Sequence, residues 1–94
     1  MWPEPWEAVE DVRLASALLS ELEREMPHGH PLRHKVLSVL GRSGASDDVL
    51  FGLEDGVRVA EVHLTWQEET NPCYPRTAIF ADFESWRAAV PPWE

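Results

Sequence analysis

The 94-residue sequence predicts one small α+β domain: a long N-terminal helix on a three- to four-stranded antiparallel sheet, closed by a short C-terminal helix. Three observations carry that reading. Val12, Ala15, Leu18, Leu19, Leu22 and Met26 recur at spacings of three and four, which lines one face of a helix. Past Val36 the apolar period shortens to two, and Asp55-Gly56 separates two alternating runs in the manner of a hairpin turn. Near the end, Phe83, Trp86 and Val90 again fall at helical spacing behind Asp82, a residue type suited to an N-cap.

Taken in order, residues 1–6 read as an extended lead-in, with two prolines and two tryptophans that pack back onto the body. Residues 7–26 form the long helix. Its early acids Glu7, Glu10 and Asp11 suit the positive end of the helix dipole, and Pro27 with Gly29 ends it. Glu10, Arg13, Ser20, Glu21, Arg24 and Glu25 are assigned to the other, solvated faces. The sheet spans 35–66, interrupted by the flexible "GRSGAS" turn. A two-residue loop at Asp55-Gly56 sets Phe51 opposite Ala60, Val49 opposite Val62 and Asp48 opposite His63. That register gathers Val49, Phe51, Val62, Leu64 and Trp66 on one face, the face the helix covers. A loop follows at 67–76, then a candidate fourth strand at 77–80 and the final helix at 82–90.

Composition narrows the function classes. A hydrophobic fraction of 44% and a charged fraction of 27% describe a globular chain, not a disordered one. One cysteine, Cys73, excludes an internal disulfide, and the absence of a leader-like start makes the cytoplasm the expected compartment. No apolar run approaches the roughly 18 residues that a membrane helix needs. For want of such a run no membrane is expected as a partner, and the net charge of −9 repels phosphate backbones, so no nucleic acid is expected either. The charge is uneven: residues 27–45 carry three cations and no acid between two acidic segments.

Few residues suggest chemistry. Asp48 facing His63 is the ingredient of a general-base pair, with Cys73 nearby in sequence. Yet Glu61, His63, Thr65 and Gln67 alternate with Val62, Leu64 and Trp66, as on any sheet covered on one side. His63 is therefore expected to be a solvated strand residue, and no catalytic residue is assigned. His28, His30 and His34 form a cluster without a second ligand pair at zinc-site spacing, so no metal or other cofactor is expected. Trp66 and Trp86 fit core positions. Asp48, Glu61, His63, Trp66 and His30 remain as candidate binding residues. Leu50, Val57 and Val59 point away from the long helix, and with Trp93 they make a candidate interaction surface if the final helix leaves them bare.

The stretches "REMPHGHPL", "DDVLFGLEDG" and "VAEVHLTWQEE" resemble a family of small uncharacterised bacterial proteins that share GHPL, DDVLF and VHLTW motifs. The likeness runs from about Glu21 to Trp86. Gly29, His30, Pro31, Asp47, Asp48, His63, Thr65 and Trp66 match, whereas His34 and "GRSGAS" depart from the pattern. The resemblance implies a bacterial cytoplasmic source and no particular activity.

These readings converge on a non-enzymatic acidic interaction module that binds a protein partner, for which a basic one is the natural choice, or a second copy of itself. An inhibitor of a basic enzyme, in the manner of immunity or antitoxin proteins, is one concrete form. The alternative is a small ligand- or metal-binding domain, or an enzyme, using Asp48, His63, Trp66 and the His28–His30 loop.

Overall fold

The computed structural model describes residues 2–89. In chain order they form strand β1 (Trp6–Ala8), helix α1 (Val12–Glu25), strands β2 (Val36–Ser43), β3 (Asp48–Leu53), β4 (Val59–His63) and β5 (Arg76–Phe80), and helix α2 (Phe83–Ala89). The strands make one antiparallel sheet in the order β1-β2-β3-β4-β5. The α+β class stands. The sheet has five strands, more than the three or four that alternation in the sequence predicts.

The additional strand straddles the end of the predicted lead-in and the first turn of the predicted helix. Trp6, Glu7 and Ala8 pair with Ser43, Arg42 and Gly41. Three residues are too few to show alternation, and acids there read equally well as a helix start. Asp11 decides the boundary. Its carboxylate accepts hydrogen bonds from the backbone N–H of Arg13 (2.8 Å) and Leu14 (3.3 Å), which makes it the N-cap and starts α1 at Val12, not at residue 7. At Gly41 a Cβ would collide with the Trp2 indole, so only glycine lets the lead-in lie across β2.

The β3–β4 register is the one the hydrophobic pattern predicts: Phe51 faces Ala60, Val49 faces Val62 and Asp48 faces His63. The turn itself differs. Leu53 N–H donates to Arg58 C=O at 3.0 Å, so the reversal takes four residues, Glu54 to Val57. Of Asp55 and Gly56, only Gly56 has a positive φ, +76°. Asp55 serves instead as a cap: its carboxylate accepts from the N–H of Val57 and Arg58, each at 2.9 Å, and pairs with the Arg58 guanidinium. Those bonds, the one from Val57 first, lower its pKa to about 2.

Both faces of the sheet are covered. On one, Leu18 and Leu22 of α1 and its C-cap residue Met26 close over Val49, Phe51, Val62 and Leu64. Burying side chains of this size contributes about 1.5–3 kcal/mol each. Val12, at the head of the predicted stripe, stays 81% exposed, while Leu14 and Ala15 are the first α1 residues packed against this core. On the other face, Trp86 of α2 and Trp6 bury Leu50 and Val59, with Trp2, Leu40, Phe80 and Phe83 around them. Trp6 meets Trp86 edge-to-face at 4.9 Å between ring centroids, and Trp2 meets Phe83 likewise at 5.1 Å. Leu50 and Val59, expected on an interaction surface, are thus interior residues of a second core. Val57 alone of that group is exposed; Trp93 and Val90 lie outside the described residues.

Candidate functional site

Strand pairing builds the site. Because Asp48 of β3 and His63 of β4 are cross-strand partners on the α2 face, their side chains meet without any special loop. His63 Nδ1 lies 2.9 Å from Asp48 Oδ1, where it donates to the carboxylate. Ser46 Oγ donates to the other Asp48 oxygen at 2.7 Å and fixes the carboxylate from behind. Glu61, two residues before His63, is half-buried, and its Oε1 accepts the Trp86 indole N–H at 2.8 Å. Burial raises the Glu61 pKa and the charge of Asp48 adds to the rise, against the opposing effect of the Trp86 bond.

Asp48, Glu61 and His63 line an open cleft of about 620 Å³, together with Thr65, Tyr74, Arg76, Thr77 and Ala78. It holds two carboxylates, an imidazole, a guanidinium and a phenol, which suits polar or cationic ligands. An acyl-transfer nucleophile is harder to find. Cys73 is exposed and does not line the cleft. The Thr65 hydroxyl donates to Glu25 and the Thr77 hydroxyl to Pro75 C=O. The His63 side chain is 50% exposed, the expected state of a solvated strand residue and not of an enclosed base.

The other candidate residues are not brought to this cleft as ligands. His30 is buried and spent on structure: Leu32 N–H donates to its Nδ1 at 3.1 Å, which leaves Nε2 to donate to Pro75 C=O at 3.0 Å. It fastens the GHPL loop to the start of β5. His28 and His34 are exposed. Among the described residues no group of three His, Cys, Asp or Glu is placed to hold a metal ion.

Trp66 departs furthest from its expected core position. β4 ends at His63, Leu64 still points inward, and at Trp66 the backbone turns to φ +61° with the residue 52% exposed. The cause is Glu25, which is fully buried and not on a solvated helix face. Its Oε1 accepts from Thr65 N–H at 2.8 Å and Oε2 from Trp66 N–H at 2.6 Å. The carboxylate thereby holds a left-handed turn that a tryptophan rarely adopts. Burial raises the Glu25 pKa and a hydrogen bond with Glu21 raises it further, while the Thr65 and Trp66 bonds act the other way. The signal for Glu25 was present in the spacing, since Leu18, Leu22 and Glu25 follow one helical stripe; its charge argued for solvent.

No protein-family model, curated protein or solved structure matches the chain.

Proposed function

We propose that this chain is a non-enzymatic interaction module that docks a basic protein segment on the surface carrying Trp66 and the neighbouring Asp48–Glu61–His63 cleft. The observation that carries the reading is the exposed indole of Trp66 on a backbone locked by a buried carboxylate. An indole whose backbone is already ordered loses little conformational freedom on binding, and tryptophan is the residue type most enriched at interface hot spots. Thr65, a cleft residue, immediately precedes it, and Glu68 and Glu69 follow. With a net charge of −9, the complementary partner is cationic. An inhibitor of a basic enzyme is one form this role takes, and the bacterial setting implied by the GHPL, DDVLF and VHLTW motifs is compatible with it.

A second reading, a small-ligand site or enzyme, rests on the Asp48–His63 bond. Its metal version loses the His28–His30 loop, because both His30 nitrogens are engaged in the fold.

The test uses the tagged full chain as bait in native extract, beside Trp66→Ala and Asp48→Asn baits, followed by calorimetry on the purified captured protein. The expected result is one basic protein whose affinity falls about 30-fold or more with Trp66→Ala, the size of a hot-spot loss. Equal affinity for the wild-type and Trp66→Ala chains rejects the proposal. A small molecule lost only with Asp48→Asn favours the second reading.

A further inference from the structure

We propose that the outer edge of β5 is a self-association surface on which two copies of this chain pair antiparallel, about a twofold axis through Ala78. The two ends of the sheet differ. An edge strand presents unpaired N–H and C=O groups, and natural proteins guard such edges with short strands, prolines, charges or bulges. At one end β1 is guarded: it has three residues, follows Pro3 and Pro5, and carries Glu7. At the other end β5 is longer, five residues in unbroken register with β4; Pro75 precedes it and Arg76 is its single charge, which leaves Thr77 to Phe80 without a proline, charge or bulge. Among the described residues its outward backbone groups have no backbone partner.

Side chains agree with a bare edge. Ile79 faces the same side of the sheet as its partner Ala60, which is fully buried, yet Ile79 is 46% exposed because, among the described residues, no strand lies beyond it. Ala78 is exposed as well.

The pattern of β5 selects a second copy as the occupant. Centred on Ala78, an antiparallel pair sets alanine opposite alanine at the axis, Thr77 opposite Ile79 of the second copy, and Arg76 opposite Phe80 of the second copy. The two Ile79 side chains become diagonal neighbours on the α1 side. No like charges face each other, whereas a parallel pair would stack arginine on arginine. Residues 75–81 carry one cation and no acid, so this is a stretch on which two chains of charge −9 can approach without direct acid-against-acid opposition. The contact is isologous and closes after two copies, giving a ten-stranded sheet. Arg76 and Ala78 also line the polar cleft, so the cleft reaches this edge and pairing sets the two clefts side by side. The inference is independent of Trp66.

Sedimentation equilibrium from about 10 µM to 1 mM spans the range in which small, weak interfaces associate. The expected result is a doubled mass that Ile79→Lys weakens at least tenfold, because it sets two ammonium groups beside each other, while Trp66→Ala leaves it unchanged. Hydrogen exchange on the unaltered chain provides a reading independent of any variant: amides within residues 76–80 gain protection as concentration rises. A monomer throughout the range overturns the proposal. So does a dimer whose 76–80 amides are no better protected than those of the monomer.

Discussion

Glu25 sets two backbone amides on one buried carboxylate, and no other side chain of α1 makes so many bonds to the loop after β4. Removing it leaves the Thr65 and Trp66 N–H groups without a partner, and each such loss costs about 1–3 kcal/mol. Glu25→Ala is therefore expected to lower the unfolding free energy by about 2–4 kcal/mol in urea titrations. Glu25→Gln, which keeps an acceptor oxygen, loses less. A Glu25→Ala chain within about 0.5 kcal/mol of wild type would show that these bonds hold nothing. At this scale the sequence was partly readable. The facing of Asp48 and His63 follows from hairpin register, which alternation specifies. The inward turn of Glu25 does not, because a charge on an apolar stripe announces its partners only once the loop carrying them is folded. Trp66 was misplaced for the same reason: period-two reasoning continues a strand past His63 until something diverts it, and the diverting group is forty residues away.

Elements with long repeats were the most legible, and the short ones were not. The α1 stripe, the β3–β4 alternation and the α2 pattern each contain several apolar positions, enough to fix type and facing. β1 has three residues, which the sequence pattern divides between the lead-in and the helix that follows. The boundary between them gives a direct test. Asp11 caps α1, so Asp11→Ala should cost about 1 kcal/mol of stability. Were the helix to begin at residue 7, Asp11 would be interior and the same change would be neutral or stabilising, since alanine is the better helix former. Thermal unfolding with far-ultraviolet circular dichroism separates the two outcomes. The turn at Glu54–Val57 makes a related point: register was predictable from the faces it aligns, while the conformation depended on Asp55 capping Val57 and Arg58.

Across the whole molecule, charge and burial pull stability toward mildly acidic pH. Glu25 and Glu61 have raised pKa values in the folded chain, chiefly through burial. Their stabilising contribution is complete below the unfolded carboxylate value and is lost as pH rises through the folded values. Asp55, Asp82 and Glu21 are lowered, Asp55 and Asp82 chiefly by hydrogen bonds from backbone N–H groups and Glu21 chiefly by its bond with Glu25; they stabilise above their unfolded values and cease to as pH falls through the folded ones. Asp55 fixes the acid limb, between its ordinary 3.8 and about 2. The melting temperature should therefore be higher near pH 5 than at pH 8 and fall again below about pH 3. A melting temperature that climbs steadily from pH 5 to pH 8 would contradict the burial of both glutamates. One further property follows from how the indoles are distributed. Trp2, Trp6 and Trp86 meet edge-to-face within one aromatic cluster, whereas Trp66 meets solvent. The four described tryptophans thus fall into two optical populations: a clustered set whose exciton-coupled dichroism tracks seating of the last helix, and a quencher-accessible emitter whose spectral shift on titration tracks docking, with no dye attached.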